Sequence, residues 1–391
     1  MEWEIYETDA RGFFAEVSAG KMKFLNSYSG KSYAVRVIDD GKVGFSAGRE
    51  LERAFENARR VAMVSEERIE SFPNEKPAKV EGIYDRRFEK IGPEFIKEEY
   101  EILVSSIERA RIATAFISHE ILEVRLRNSS GADLSEKETF SHFSIEAVYE
   151  EGSGYLQCES RTIDLEIAET TRYAEELAIS SSKAGNLESG YYDIVLTPYA
   201  LHQVFSHTLY PSLSAENVSK GRSVLRKGSF IGNIRIIDDP TLEGGMVSYS
   251  FDDEGVSARR KVLVDGEVLR FYSDWKHSRE FGATANGLRP SIDSPPVPGP
   301  SNIVVEVEEK ADIEGALVVH SFIGSHTANP ISGDLSLECM NAEFNGKAIK
   351  GVMVYGNVFE MLKSISGYCS KRKQVENTLA PAIRFENIRV I

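Results

Sequence analysis

Cysteine is scarce in this sequence, and apolar runs of membrane length are absent. The 391 residues include only three cysteines, Cys158, Cys339 and Cys369, which are widely spaced and odd in number. This number and spacing argue against a disulfide framework and a CxxC metal knuckle. No window approaches about 20 uninterrupted apolar residues, and the N-terminal segment carries acids where a signal peptide would carry Lys or Arg. We therefore expect a cytoplasmic protein without a membrane span.

Basic residues are the second shortage. Lys and Arg total 46 against 61 Asp and Glu, which gives a formal net charge of −15. No segment gathers basic residues with interleaved aromatics, so direct contact with nucleic acid is not expected. With 41% hydrophobic and 27% charged residues, the composition is that of a soluble chain with a large core in two or three domains.

The first half of the chain alternates between strand and helix patterns. A hairpin is predicted where the alternating run 33–38 is followed by Asp-Asp-Gly and the apolar run 43–45. The period changes to two between about 117 and 163, which predicts a three-stranded antiparallel meander. Helical spacing of apolar residues predicts helices over 49–64, from about Pro93 onward, and over 165–182.

The second half is richer in strand patterns. After the polar linker SSKAGNLESG and the short strand YYDIVLT, Thr197 and Pro198 start a helix that should end by Pro211. The stretch VLVDGEVLRFY predicts a hairpin with Asp265-Gly266 at its tip. The proline-rich stretch 284–302 is long for a compact fold, and we expect it to lie across a groove or a subunit.

Together these patterns predict an α+β fold with mixed or antiparallel sheets. We expect an N-terminal α/β domain over 1–100, with helices on one face of its sheet. An antiparallel-sheet segment over 101–188 should pack with that domain. A β-rich C-terminal domain is expected over 189–391.

The stretch LHQVFSH places two histidines five residues apart on a predicted helix. Leu201, Val204 and Phe205 share the face that should pack. His202 and His207 fall off that face, about 140° apart around the axis at about 100° per residue. The usual zinc spacing on a helix is i,i+4, so this geometry is poor for one metal ion. Two solvated histidines are one interpretation, and a zinc site where the helix widens or ends is the other.

Gln203 directly follows the first histidine. A metalloprotease carries glutamate at this position, and an amide does not take a proton from zinc-bound water at neutral pH. The motif therefore lacks its general base whether or not a metal binds.

An acidic cluster lies further along the chain. Asp252, Asp253 and Glu254 could ligate a metal or form an acid/base pair. A solvated acidic turn is the simpler expectation. The neighbouring Arg259 and Arg260 are expected to pair with these acids across strands.

A second polar cluster predicts a tight loop. In the segment from Asn329 to Asp334, Gly333 permits a positive φ, and the Asp334 side chain can bond backbone N–H groups. Ser332 precedes this glycine.

Several other conspicuous residues are not expected to bind a metal or a cofactor. His320 and His326 have no metal-ligand spacing and should be ordinary polar residues. Tyr272, Trp275 and His277 are expected to contribute to an interface.

Five stretches together resemble the TldD/PmbA family, named for modulation of DNA gyrase, whose PmbA branch is also called TldE. They follow the family's order over nearly the whole chain. The stretches are SYAVRVIDDGKVGFSAG (32–48), SLSAENVSKGRSVLRKGSFIG (212–232), SFDDEGVSARRKVLVDGEVLRFYSDWKHSREFG (250–282), NPISGDLS (329–336) and YGNVFEML (355–362).

The resemblance implies a metal site. The TldD branch is a zinc metalloprotease with an HExxxH motif and a cysteine ligand near the C-terminus. By this resemblance His202 and His207 correspond to the two histidine ligands, Cys369 to the cysteine, and Gln203 replaces the glutamate. The unusual i,i+5 spacing is the one that this family uses, so the resemblance favours a vestigial metal site.

The resemblance also implies substrate-cleft residues. Asn329, Ser332, Gly333 and Asp334 resemble the family's loop bordering the substrate cleft. The stretch with Asp252 and Asp253 is common to both branches of the family, which implies a structural role or a role in substrate docking.

Three functions follow as alternatives. The central and C-terminal stretches look more like the TldE branch, which implies a non-catalytic subunit, without its own cofactor, of a protease for unfolded peptides. The partner would be a TldD-like subunit or a second copy. A self-sufficient zinc peptidase would use His202, His207 and Cys369, with a carboxylate such as Glu216 as base. A non-proteolytic protein-binding modulator is the third.

Overall fold

The N-terminal half is one antiparallel sheet with helices in the computed structural model, which describes residues 1–391. The strands follow the order β3-β2-β1-β4-β5-β6. The elements are β1 (Glu2–Ser18), β2 (Lys21–Asp39), β3 (Lys42–Gly48), α1 (Leu51–Val64), a 3₁₀ turn (Arg86–Lys90), α2 (Pro93–Ser105), β4 (Arg111–Asn128), β5 (Asp133–Tyr149), β6 (Gly152–Ser160) and α3 (Ile167–Ser182).

Most of the predicted N-terminal elements are confirmed. The hairpin joins β2 to β3, the three helices lie where their periodicity placed them, and β4, β5 and β6 form the meander. The division near residue 100 does not separate two sheets, because β1 pairs with β4 from Glu4 to Ser18.

The two faces of this sheet have different covers. Ile5, Ala15 and Val17, on one face, belong to clusters that contain side chains of α1, α2 and α3. Tyr6, on the other face, belongs to a cluster that contains Phe251 from the C-terminal half. The helices therefore lie on one face, as predicted, and the C-terminal half docks on the opposite one.

Close approach of α1 to the sheet depends on Gly44. A Cβ atom at this position would lie 1.9 Å from the carbonyl oxygen of Ala58. No side chain fits there, so α1 packs this closely on the sheet only because position 44 is glycine and the facing residues of α1 are small.

The C-terminal half is rich in strands and has short helices. Its strand-rich character was predicted. Its elements are β7 (Gly190–Leu196), α4 (Pro198–His207), α5 (Leu209–Ser212), α6 (Ala215–Ser219), β8 (Phe230–Asp238), β9 (Lys261–Val268), α7 (Ser278–Phe281), β10 (Gly287–Leu288), β11 (Val297–Pro298), β12 (Ile303–Glu306), β13 (Leu317–Ile323), a 3₁₀ turn (Ser325–Thr327), β14 (Asp334–Phe344), β15 (Lys347–Ile349), β16 (Met353–Asn357), α8 (Val358–Lys363), β17 (Ile365–Tyr368), β18 (Lys373–Val375), β19 (Thr378–Ala380) and β20 (Ile383–Val390).

Five of these strands close a ring. β13 pairs with both β7 and β14, β16 joins β14 to β20, and β20 returns to β7. The β7–β13 pair is parallel and the others are antiparallel, so the sheet is mixed. Apolar residues of these strands belong to the largest core cluster, of 41 residues, which also contains the apolar face of α4. A second sheet, ordered β18-β19-β12-β8-β9, contributes to the same core.

One predicted C-terminal element is wrong. The stretch VLVDGEVLRFY does not form a two-stranded hairpin, because Asp265 and Gly266 lie within β9, which pairs with β8. The chain does fold back afterwards, since the amides of Leu269 and Arg270 donate to the carbonyl of Leu263.

The proline-rich stretch 284–302 contains the short β10–β11 pair. It runs against the N-terminal half, where Arg289 reaches the carboxylate of Glu4 at 3.3 Å. None of the helices combines the length and apolar character that crossing a bilayer requires.

Candidate functional site

The histidine motif lies on α4, whose position follows from its sequence. Thr197 caps the helix by accepting a hydrogen bond from the amide of Ala200 at 3.5 Å, and Pro198 occupies its first turn. Leu201, Val204 and Phe205 are buried in the main core, as predicted. The remaining face of the helix carries His202, Gln203 and His207 toward an open cleft.

His202 is not solvated, which corrects one expectation. Its side chain is buried, with a relative exposure of 6% for the residue. Its Nδ1 lies 2.8 Å from Thr378 Oγ1, and its Nε2 lies 3.2 Å from Glu376 Oε2. The β18–β19 hairpin covers this histidine, and its residues Glu376 and Thr378 contact both ring nitrogens. Binding a metal through His202 would require breaking one of these contacts.

Glu376 is the main residue that sequence reasoning missed. It has a φ of 48°, which is strained for a residue other than glycine. Its other carboxylate oxygen accepts a hydrogen bond from Gln157 Nε2, on β6, at 3.0 Å. The hydrogen bond to His202 lowers the pKa of Glu376, so the carboxylate is ionised at neutral pH. No spacing in the sequence connects this residue with the histidine motif.

His207 lies on the wall of the cleft, half-buried. Burial lowers its pKa, and the nearby His202 acts in the same direction. It is therefore neutral at pH 7.

Gln203 is held by the backbone of β13. Its Nε2 donates to the carbonyl of Phe322 at 3.1 Å, and its Oε1 accepts from the amide of Phe322 at 2.8 Å. The carboxamide thus pairs with a strand as another peptide unit would. A glutamate would keep only half of this pairing, because a carboxylate has no N–H to donate to the Phe322 carbonyl.

Cys369 is placed on a different side of the sheet from the histidines. It packs beside Val195, Ala316 and Ala382, whereas Ile194 and Leu196 of the same strand face the core with α4. Successive residues of a strand point to opposite faces. Its sulfur donates to the carbonyl of Asp312 at 3.4 Å. The predicted trio of His202, His207 and Cys369 is therefore not brought together.

The residues present do not fit a zinc site of the expected kind. No three His, Cys, Asp or Glu side chains come together in an arrangement that could hold a metal ion. Glu216, the expected substitute base, pairs with Lys220 at 2.5 Å and does not line the cleft.

The cleft itself has a volume of about 650 Å³. Its walls come from both halves of the chain: Glu159 is on β6, His202 and His207 are on α4, and Glu376 is in the β18–β19 turn. Tyr199, Tyr210 and Tyr272 add hydroxyl-bearing rings. The arrangement provides a polar, partly aromatic trough. The Thr378 hydroxyl that contacts His202 is fully buried and does not line it.

Two residues of the acidic turn, Asp252 and Glu254, are buried and Asp253 is partly buried, which corrects a second expectation. Glu254 accepts from Arg36 Nη1 at 2.6 Å, and Arg36 also forms two 2.8 Å bonds with Glu4. Asp253 accepts from Tyr6 Oη at 2.7 Å and from the amide of Arg289 at 2.6 Å. We call Glu4, Arg36, Asp253, Glu254 and Arg289 the interdomain cluster.

Asp252 is also buried, and it accepts from backbone amides of Glu254, Val256 and Gly287. Burial raises the pKa values of Asp252, Asp253 and Glu254. Neither Asp252 nor Asp253 lines the cleft at the histidine motif.

The predicted pairing of Arg259 and Arg260 with these acids is wrong. Arg259 contacts Glu75 at 2.6 Å, and Arg260 lies 3.4 Å from Asp239. Of the three acids only Glu254 pairs with an arginine side chain, that of Arg36, which is remote in sequence. Neighbours in the chain were therefore the wrong partners.

The loop from Asn329 to Asp334 is a tight turn with a positive φ at Gly333. Asn329 Oδ1 accepts from the amides of Ile331 and Ser332 at 2.9 and 3.1 Å. Asp334 accepts from Asn357 Nδ2 at 2.8 Å, at the start of α8. Asn329, Ser332, Gly333 and Asp334 do not line the cleft, although Ser325 just before them does.

The remaining conspicuous residues have ordinary contacts. Trp275 donates its indole N–H to the carbonyl of Ser71 at 2.7 Å, across the two halves of the chain. His277 contacts Asp274 at 2.6 Å, and His320 lies 3.2 Å from the hydroxyl of Tyr173.

Comparisons with known proteins agree with this architecture. Residues 189–391 match the family described as the PmbA/TldA metallopeptidase C-terminal domain, and residues 3–62 match domain 1 of the same family. An uncharacterized protein of Methanocaldococcus jannaschii is 32% identical over 87% of this chain and 86% of its own length. A protein named metalloprotease from Methanothermobacter thermautotrophicus is 28% identical, over 89% of this chain and 83% of its own length.

Two solved structures have a similar fold. One, from Thermotoga maritima, has a name that refers to modulation of a DNA gyrase; it is 26% identical, with a TM-score of 0.88, and the alignment covers 100% of this chain and 96% of that one. The other is TldE from Thermococcus kodakarensis, 22% identical with a TM-score of 0.90 and the same coverage. The second likeness is one of fold.

Proposed function

Because the chain belongs to the PmbA/TldD metallopeptidase family, we propose that it is the catalytically silent, TldE-like subunit of a two-chain zinc metalloprotease that cleaves unfolded peptides. A TldD-like subunit would supply the zinc and the glutamate base. This chain would supply part of the wall around the substrate.

The observation that carries the proposal is the engagement of Gln203. Its amide pairs with the backbone of Phe322 in both directions. A general base needs a lone pair of suitable pKa facing the water that it activates. This position offers an amide that is already bonded on both sides, so it supports a structural role for the residue in place of the glutamate.

The contacts of His202 support the same proposal. Glu376 and Thr378 occupy its two ring nitrogens, and Cys369 lies on the opposite face of the sheet. A self-sufficient peptidase would need the side chains of His202, His207 and Cys369 to converge on one metal ion with their ligating atoms free.

The test is the metal content of the protein purified without a histidine tag, beside a His202→Ala variant. We expect well under one zinc per chain in both, by plasma mass spectrometry, because a three-ligand site is missing. About one zinc per chain in the wild type, lost in the variant, would contradict the proposal and revive the self-sufficient enzyme.

Association completes the test. Mixed with a TldD-like chain from the same organism, the protein should form a complex that cleaves an unfolded peptide, while the isolated chain should not. A second copy in place of the TldD-like chain is the alternative partner. Failure to associate with any TldD-like chain would favour the non-proteolytic modulator.

A further inference from the structure

The helix-free face of the N-terminal sheet is covered over only part of its length. At one end Tyr6, Val124 and Leu126 are buried against Phe251 of the C-terminal half. Toward the other end, the same face of β1 and β4 carries Phe14 and Phe116, which are only half-buried. On β2, Phe24 is 57% exposed and Tyr28 is 40% exposed. A large sheet surface with aromatic side chains is thus open to solvent.

Rings on this open surface form a line that crosses four strands, and we call it the aromatic row. Tyr28 on β2 lies 6.3 Å from Phe14 on β1, measured between ring centroids. Phe14 lies 5.9 Å from Phe116 on β4, and Phe116 lies 5.9 Å from the His142 ring on β5. The row points from the outer edge of the sheet toward the strands next to the cleft.

The aromatic surface continues to the cleft. Tyr155 on β6 lies 6.4 Å from Tyr199 on α4, between ring centroids. Tyr199 lines the same cleft as His202 and His207. His142 contacts Glu159 at 3.3 Å, and Glu159 is also a cleft residue. The open sheet and the cleft are therefore one continuous surface.

Carboxylates lie beside the aromatic row and in the cleft. Glu16 and Glu146 border a depression of about 290 Å³ that also contains Phe116 and Tyr155. Glu159 and Glu376 follow in the cleft. Lys23 of β2 also lines this depression, whereas Lys21 does not. With four carboxylates and one lysine, the inner part of the surface combines aromatic faces with a net negative charge.

We propose that this surface binds an extended polypeptide segment that carries Lys or Arg beside apolar side chains, and leads it into the cleft. Apolar side chains would lie on the rings, and cationic ones would contact both carboxylates and ring faces. Crossing from β2 to β6 spans four strand spacings of about 4.8 Å, which an extended segment of about six residues covers. The inference rests on the proposed function, since it names the chemistry of the peptide delivered to the partner.

A second copy of the chain is a poor occupant of the same surface. Pairing two identical faces would bring Glu16, Glu146 and Glu159 of each copy into the same acidic interface, which is repulsive. A basic, apolar peptide has the complementary charge and needs no folded surface of its own.

The experiment measures binding of labelled peptides to the isolated chain by fluorescence anisotropy at low salt. The probe is a fluorescein-labelled peptide of four Lys-Val-Gly repeats, compared with Glu-Val-Gly and Lys-Ser-Gly repeats of equal length. We expect the Lys-Val-Gly peptide to bind most tightly, and its affinity to fall with added salt. Equal binding of the Glu-Val-Gly peptide, or no binding of any peptide, would overturn the proposal.

Matched variants locate the surface. Glu16→Gln with Glu146→Gln should weaken binding roughly fivefold, since each exposed ion pair contributes modestly. Phe116→Ser should weaken it by about tenfold through lost stacking and apolar contact. Glu52→Gln with Glu56→Gln, on α1 at the opposite face, and Tyr191→Ser, 67% exposed on β7, should change it less than about twofold.

Two further outcomes would count against the inference. Equal weakening by the control variants would place the peptide elsewhere. A dimer in sedimentation that Phe116→Ser dissociates would assign the surface to a second copy. Zinc content and association with a TldD-like chain are measured separately, so a failure of the proposed function is distinguishable from a failure here.

Discussion

The cleft and the interdomain cluster are built from the same kinds of residue but are opposite in character. Both join the two halves of the chain through acids and bases. In the interdomain cluster Arg36 and Glu4 are 3% and 0% exposed, and they bond Glu254 and Arg289, respectively, in the other half of the chain. In the cleft His207 and Glu376 keep part of their surface open to solvent. The first arrangement fixes how the halves meet, and the second leaves a surface that a ligand can reach.

The largest effect should come from removing the central cation of the interdomain cluster. Arg36→Ala leaves the carboxylates of Glu4 and Glu254 buried with one partner fewer, and we expect a loss of about 3–5 kcal/mol in the free energy of unfolding. Chemical denaturation measures it. Arg259→Ala, which breaks the exposed pair with Glu75, is the control and should cost less than about 1 kcal/mol. Equal losses of unfolding free energy in the two variants would mean that the interdomain cluster is exposed to water.

The next effect concerns the cleft. Gln203→Glu removes the donor to the Phe322 carbonyl and turns a carboxylate toward that oxygen, so unfolding free energy should fall by about 1–3 kcal/mol. Asn186→Asp makes the same amide-to-carboxylate change at an exposed position and should cost less than about 0.5 kcal/mol. The Gln203→Glu protein should also gain no peptidase activity. Hydrolysis of an unfolded peptide by this variant would refute the structural role of Gln203.

A pH-dependent effect is expected at Glu136 on β5, whose carboxylate accepts from the amide of Ser250 in the C-terminal half. Burial, followed by the nearby Glu138, raises the pKa of Glu136 from 4.5 to about 7. Because the folded state holds this proton more tightly, the stabilising contribution is complete below pH 4.5 and is lost as the pH rises through 7. Glu136→Gln mimics the protonated form and should be more stable than the wild type by about 1–2 kcal/mol at pH 8, with no difference at pH 4.

Thermal or denaturant unfolding of both proteins at several pH values checks this result. The variant keeps an oxygen that can accept from the amide of Ser250, as the carboxylate does at 2.8 Å. A constant difference across the whole pH range would show that the titration of Glu136 is not its cause.

The smallest effect is expected at Cys369. Cys369→Ser keeps a donor for the Asp312 carbonyl on the sheet face away from α4, so the unfolding free energy should change by less than about 1 kcal/mol. Zinc content and peptide binding should be unaffected. Loss of either property in this variant would mean that the cysteine reaches the cleft after all.

Periodic elements could be predicted from the sequence because their signal is local. The apolar stripe of α4 and the alternation before the Asp-Asp-Gly turn both lie within a few residues. The hairpin predicted at Asp265-Gly266 failed because a local turn signal was overridden by pairing of β9 with β8. The outer part of β2, from Lys21 to Lys31, was missed because polar and small residues dominate it and nearly all of its residues are exposed.

The candidate site was harder to predict from the sequence, because the residues that contact each other there are far apart in the chain. Glu254 lies 218 positions from Arg36. Because the sequence does not reveal such a distant partner, it predicted a solvated turn where the structure has a buried ion pair. Glu376 reaches His202 only after the β18–β19 turn has formed above α4. Chain spacing could place the two histidines on one helix, but it could not reveal what occupies their nitrogens.

The closed ring of five strands has a consequence for synthesis on the ribosome. β20 lies between β7 and β16, so the ring cannot close until residues up to Val390 have emerged. The N-terminal sheet needs only residues up to Ser160 and can fold while translation continues. During that interval the edge of β7 that later pairs with β20 is unpaired. An unpaired strand edge can associate with other chains. Ribosome-stalled chains that end before Ile383 should therefore bind chaperones through the C-terminal half, and chains that include β20 should release them.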